Sequence, residues 1–199
     1  MQDVDFWESR YAAENTPWDL AGPSPHFVAL LAQKPTFLSV GKMAVLGSGR
    51  GHDAALFGKT GFDVTGFDYA PGAVKVASDL YSAYARFQVA DIFALTDPVW
   101  SNLPAFDYVL EHTCFCAIPP ERRTDYVQAV RHILKPGGYL IGVFWEHNEV
   151  DGPPFSTTEA DLKGFFTPDF EVISIENKNP VAGRSGVERL TILRRKMDV

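Results

Sequence analysis

The 199-residue sequence predicts an α/β fold with a mostly parallel sheet of seven strands that closes in a C-terminal antiparallel hairpin. Three observations predict it. Short all-apolar runs such as Met43-Ala44-Val45-Leu46 have the character of strands buried on both faces. These runs alternate with stretches of helical spacing, as βαβ units require. Near the carboxyl end, Phe170–Ile175 and Val187–Arg194 are joined by too short a connection for a crossover helix, so they must pair antiparallel.

Taken in order, residues up to about 40 are aromatic, proline-rich and irregular, with one short helix at His26–Leu31 that ends before Pro35. This segment reads either as a lid or as a packed cover. The first strand, Met43–Leu46, is stopped by Gly47 and followed by a helical stretch through Ala54–Phe57 that ends at Gly61. Phe62–Asp68 is the second strand and Pro71–Tyr84 its crossover helix; Phe87–Val89 and Phe106–Leu110 are the third and fourth strands. Asp97-Pro98 and Leu103-Pro104 punctuate the loop between them.

From Arg122 to Lys135, Tyr126, Val127, Val130, Ile133 and Leu134 recur at helical spacing, which lays one face on the sheet. Pro136-Gly137-Gly138 ends that helix and turns into the strand Tyr139–Trp145. Thr157 or Thr158 is placed to cap a helix through Leu162 and Phe165-Phe166. The last two strands follow, with Arg184-Ser185-Gly186 in the turn between them. One domain spanning 1–199 is expected, with 1–40 as its aromatic-rich cover or lid.

Lys and Arg number 18 against 25 Asp and Glu, a formal charge of -7. That sign repels phosphate backbones and the basic residues form no stripe, so nucleic acid is a poor partner. Arg194-Arg195-Lys196 reads as a solvated strand end. The N-terminal residues include early acids and no long apolar run, and no window approaches a membrane span, so a cytoplasmic protein with no membrane partner is expected. Cys114 and Cys116, read on a strand, point to one face; they lack the companions of a tetrahedral metal site, and no metal is expected.

Gly47-Ser48-Gly49-Arg50-Gly51-His52 lies between the first strand and its helix, where glycines let the backbone turn tightly and approach a ligand. A dinucleotide fingerprint asks for glycine where His52 stands, which disfavours a pyrophosphate-bearing cofactor but not S-adenosylmethionine. Asp68 at the end of the second strand is placed to accept from ribose hydroxyls, and Tyr69 joins it in the expected cofactor set. Asp91, followed by Ile92 and Phe93, suits an adenine amino group between apolar side chains, or else caps a helix. Glu111-His112 opens the loop after the fourth strand. His112 there reads either as a base for an incoming thiol or as a packed histidine.

Asp107–Pro120, with Phe115-Cys116-Ala117-Ile118-Pro119 at its centre, followed by Leu134-Lys135-Pro136-Gly137-Gly138-Tyr139-Leu140, resembles the thiopurine methyltransferase superfamily. Gly152-Pro153-Pro154-Phe155, Phe6-Trp7 and Thr16-Pro17-Trp18-Asp19 extend the resemblance over most of the chain, and it is nearest to the branch acting on halide, thiocyanate and other thiols. The resemblance implies a Rossmann-like class I methyltransferase that takes S-adenosyl-L-methionine and releases S-adenosyl-L-homocysteine.

It implies cofactor contacts from Trp18, Gly47, Gly49, Gly51, Asp68, Tyr69, Asp91, Ile92 and Glu111, with the aromatic N-terminal segment as cover. Catalysis is expected from His112 and Glu111, and a small acceptor beside Trp7, Tyr11, Thr113, Phe115 and Trp145. Glu111-His112 stands where halide enzymes of this kind carry an Asp-Tyr pair, which counts against a halide-specific pocket; the expected acceptor is a thiol, thiocyanate or related sulfur or selenium species, with thiopurines still open. Two other classes remain in view: an NAD-dependent oxidoreductase, and a protein that binds S-adenosylmethionine without turnover. The sequence carries no sign of oligomeric state.

Overall fold

The computed structural model describes residues 3–100, 105–181 and 183–198. The Leu103-Pro104 turn and the opening Met1-Gln2 lie outside the described residues. Seven strands, β1 (Lys42–Leu46), β2 (Asp63–Asp68), β3 (Ala85–Val89), β4 (Phe106–His112), β5 (Leu134–Glu146), β6 (Phe170–Lys178) and β7 (Val187–Arg195), form a sheet in the order β3-β2-β1-β4-β5-β7-β6, mostly parallel with a C-terminal antiparallel hairpin. The chain forms two compact units, Met1–Ile92 and Phe93–Val199.

In the first unit, β1 (Lys42–Leu46), β2 (Asp63–Asp68) and β3 (Ala85–Val89) run parallel with β2 in the middle. Their apolar side chains are buried because α3 (His52–Lys59) and α4 (Pro71–Tyr81) cover them, with Pro71 in the first helical turn where its missing N–H costs nothing. Phe27, Met43, Leu46, Phe57 and Phe67 form the core.

The N-terminal stretch is more regular than its composition predicts. α1 (Val4–Ala12) starts at Asp3, whose carboxylate accepts the Phe6 N–H at 2.9 Å, and α2 spans Pro25–Gln33. No residue of α1 is buried, so it presents no apolar stripe to betray its period. It is nonetheless tethered: the Glu8 carboxylate accepts the Gly72 N–H at 2.7 Å, placing negative charge on the N-terminal turn of α4.

The second unit holds β4 (Phe106–His112), α5 (Arg123–Ile133), β5 (Leu134–Glu146), α6 (Glu159–Phe166), β6 (Phe170–Lys178) and β7 (Val187–Arg195). β4 and β5 are parallel, and β7 lies antiparallel between β5 and β6. Thr158 caps α6 in a reciprocal box with Asp161.

Three expectations change here. The helix predicted to Lys135 stops at Ile133, and Leu134 already pairs with Phe106; a register shift between Phe106 and Tyr108 accommodates the following residues, with Gly137 at φ 78°. Arg195 is not solvated: it donates to the Arg131 and Leu134 carbonyls at the end of α5 and to Asp198. Phe115, expected beside the acceptor, is fully buried, with its ring centroid 5.2 Å from Tyr126, 5.4 Å from Phe144 and 5.7 Å from Phe166. Its size and apolarity serve the core of this unit.

Candidate active site

Gly47, Gly49 and Gly51 all adopt positive φ, at 60°, 52° and 82°. The loop is held at Ser48, whose N–H donates to Phe67 O and whose carbonyl accepts from Gly51, both at 2.9 Å. Two of the glycines answer different needs. A Cβ at Gly51 would lie 2.7 Å from the Phe87 ring, whereas one at Gly49 would lie 3.2 Å from the Tyr11 hydroxyl. Gly51 thus makes room for the core, and Gly49 keeps the loop surface clear under the N-terminal segment.

Asp68, buried at the end of β2, accepts from Gly49 N at 2.8 Å and from Ala70 N at 3.0 Å. Burial raises its carboxyl above the usual range, opposed by N–H donation from Ala70, Gly49 and Tyr69; the charge of Glu8 pushes it up further. Tyr69 and Asp91 are half-buried, Asp91 directly ahead of the 3-10 turn Ile92–Ala94.

The N-terminal aromatics gather above this loop. Trp18 meets Trp7 edge to face at 5.4 Å and Tyr11 at 6.1 Å, and it hydrogen-bonds the Tyr11 hydroxyl. Burial, then the charge of Asp68, push the Tyr11 phenol well up. Asp19, next in sequence, pairs with Arg50 at 2.9 Å and with His52 at 3.3 Å, and Ser24 N donates to Asp53 at 2.7 Å. His52, placed where a dinucleotide motif wants glycine, begins α3 and also meets the Tyr81 hydroxyl at 2.9 Å.

In the second unit, Glu111 and His112 are the last residues of β4 and not loop residues as expected. Thr113 then takes φ 63°, unusual for a β-branched residue, with its hydroxyl donating to His112 O at 2.6 Å. His112, Thr113 and Cys114 are half-buried. Cys116 lies in the 3-10 turn Phe115–Ala117, so the two thiols do not share a strand face; burial and the charge of Glu111 push the Cys116 thiol up to about 12.

Glu111 is only 1% exposed, and its carboxylate accepts from Cys114 N at 3.1 Å, Phe115 N at 2.9 Å and the Tyr126 hydroxyl at 3.1 Å. That is the geometry of a cap for the turn. Arg123, also buried, donates to the carbonyls of Ile118, Phe155 and Ser156 and stacks 4.6 Å from the Phe115 ring. Its desolvation lowers the guanidinium. Helical spacing marks Tyr126 only as a core-facing residue, and Arg123 falls outside the spaced apolar set, so the sequence singles out neither.

Trp145 stands at the end of β5, its indole donating to Ser185 O at 2.7 Å, with His147 4.4 Å away and the Arg184 guanidinium 5.3 Å from its ring. Arg184 is anchored by the buried Glu188 at 2.7 Å. Among the described residues no group of three or more His, Cys, Asp or Glu is arranged to hold a metal, and no helix is long and apolar enough to cross a membrane.

The glycine cradle, the buried acid at the end of β2 and the cleared surface at Gly49 fit the ribose and amino-acid moieties of S-adenosylmethionine. Joined to this strand order, they define a Rossmann-like class I S-adenosylmethionine-dependent methyltransferase. The family model for thiopurine S-methyltransferase matches residues 2–196, and the chain belongs to that family.

A probable thiol methyltransferase of Arabidopsis thaliana is 32% identical over 192 residues, covering 92% of this chain and 82% of the relative. A thiocyanate methyltransferase of the same plant is 30% identical with the same coverage. The solved structure described by "Conversion of a Disulfide Bond into a Thioacetal Group during Echinomycin Biosynthesis" superposes with TM-score 0.82 at 22% identity, covering 98% of this chain and 93% of that chain. A 1,6-didemethyltoxoflavin-N1-methyltransferase of Burkholderia thailandensis gives TM-score 0.75 at 20% identity, covering 97% and 87%. At such identities these two likenesses speak to the fold alone.

Proposed function

We propose that this methyltransferase acts as one domain on a small, polarizable sulfur nucleophile of the thiol or thiocyanate type. The observation that carries the reading is the identity of 32% and 30%, over 92% of the chain, to relatives described as thiol and thiocyanate methyltransferases. The turn after β4 supports it, because it offers a half-buried imidazole and thiol beside one another in sequence.

The cofactor, when bound, supplies an electrophilic methyl group on a sulfonium leaving group. Gly47, Gly49 and Gly51 would shape the loop that receives it, Asp68 and Tyr69 would hold its ribose, Asp91 and Ile92 would take the adenine, and Trp18 would cover it. On the acceptor side we assign Trp7 and Tyr11 within the first unit and Thr113 and Trp145 within the second; in an in-line displacement, alignment supplies most of the rate. His112 takes the proton from an acceptor that arrives as a thiol, while thiocyanate arrives already ionised.

A methyl-transfer screen over thiols, thiocyanate, sulfide, selenium species, halides and small phenols tests the reading. Turnover should favour sulfur and selenium, since burying a hard, strongly hydrated anion costs more than burying a diffuse one. Preferential methylation of phenols would overturn it.

A further inference from the structure

The turn that follows β4 is assembled on one carboxylate. Glu111 receives two backbone N–H groups, from Cys114 and Phe115, on one oxygen, and the Tyr126 hydroxyl on the other. All three partners are donors, so the arrangement serves an ionised acceptor. Thr113 is held at φ 63°, a conformation that a β-branched residue keeps only when its surroundings impose it. The titratable and charged groups that face Glu111 are His112 beside it, Cys116 in the turn, and Arg123 and Tyr126 from α5.

We propose that Glu111 and Tyr126 are positioning residues for methyl transfer: the ionised carboxylate, held by the Tyr126 hydroxyl, fixes the turn that presents His112 and Cys114, and proton uptake releases it. This rests on the methyltransferase reading of the site. Protonation of one Glu111 oxygen points a hydrogen at the two N–H groups. Protonation of the other reverses the bond to Tyr126 and strips the phenol of its acceptor. Either way a buried donor is left unmatched while the carboxyl itself stays buried. The released turn, having lost the hydrogen bonds that favour the carboxylate, therefore holds the proton more tightly than the closed one. Burial pushes the Glu111 carboxyl up to about 7, despite the donors from Phe115, Tyr126 and Cys114, so the release falls near neutral pH.

The test uses the full chain, as wild type, Tyr126→Phe and Glu111→Gln. The turnover rate is followed against pH at saturating S-adenosylmethionine, with thiocyanate as the acceptor because it carries no proton in this range. Amide hydrogen exchange at Cys114 and Phe115, with S-adenosylhomocysteine present and corrected for intrinsic base catalysis, is followed in parallel.

In the wild type, rate and protection should fall together as pH drops through about 7. Tyr126→Phe removes a donor that favours the carboxylate and should move both midpoints upward by about half to one pH unit. Glu111→Gln carries no titrating proton, so its protection should be independent of pH and its acidic limb absent. Wild-type protection at Cys114 and Phe115 that ignores pH overturns the proposal, even if neither variant folds. So does an acidic limb retained in Glu111→Gln, which would assign the titration to His112. If thiocyanate is not methylated but the exchange behaves as stated, thiocyanate is not an acceptor and the hold of Glu111 on the turn stands.

Discussion

The Gly49 N–H donates to the Asp68 carboxylate at 2.8 Å, tying the middle of the glycine loop to the acid at the end of the neighbouring strand. The same side chain anchors Ala70, at the start of the connection to α4. Asp68→Ala should therefore weaken S-adenosylhomocysteine binding tenfold or more, given about 1.5–3 kcal/mol for a hydrogen bond to a charged group. Calorimetry on a variant with native circular dichroism checks this. An unchanged affinity removes Asp68 from the site.

The two glycines flanking Arg50 should fail differently. Gly51→Ala forces a side chain at φ 82° into the Phe87 ring and Ala77, so its main effect is a loss of folding stability of at least about 1–2 kcal/mol. Gly49→Ala is also strained, at φ 52°, but its Cβ meets only the end of the Tyr11 side chain, so it should lose less stability than Gly51→Ala, remain folded and lose cofactor affinity. Thermal melts paired with calorimetry on both variants distinguish these outcomes, and equal destabilisation would refute the division of labour.

That division marks the boundary of what the sequence made legible. Apolar runs such as Met43–Leu46 and the spacing of glycines report on a residue's immediate neighbours, and they placed the strands and the loop. The partner of Glu111 is Tyr126 fifteen positions away on another element, and that of Arg195 is the end of α5; no local period encodes such pairings. Phe115 misled for the same reason, because an apolar residue near a strand end reads alike whether it faces a pocket or a core. α1 went unseen since none of its residues is buried.

Asp19 joins the segment containing Trp18 to the glycine loop through Arg50 and to α3 through His52. All three side chains keep some exposure, so the pairing is worth about 1 kcal/mol at most. Asp19→Ala should accordingly raise the rate of limited proteolysis within residues 13–24 by about fivefold, and S-adenosylhomocysteine should restore part of the protection. If the variant and the wild type are cleaved alike with and without ligand, the aromatic segment is a static cover.

Glu111 also makes a stability prediction of definite sign. Its carboxyl stands at about 7 in the folded chain against an ordinary 4.5, so the folded state holds the extra proton between these values. The associated stability is full below about 4.5 and is lost as pH rises through about 7. Glu111→Gln has no such term. The melting temperature of the variant relative to wild type should therefore climb as pH is raised across this window, and a constant difference would contradict the assignment.

The last prediction separates base catalysis at His112 from mere support of the turn. His112 is half-buried at the end of β4, and the neighbouring Glu111 charge interacts with its imidazole. A thiol with an ordinary pKa near about 8.5 is mostly protonated at neutral pH, so a base that accepts its proton during attack should be worth about a hundredfold or more. Thiocyanate carries no such proton. His112→Ala should then slow the thiol at least about tenfold more than thiocyanate. Damage to the turn would instead misplace either acceptor and slow both by the same factor, which makes the ratio of the two losses the informative quantity. The extra loss should also shrink as pH rises toward the thiol's own pKa, because the thiolate then forms without help. Single-turnover rates with both acceptors, at saturating cofactor across pH, measure this ratio; equal losses at every pH would leave His112 a structural residue.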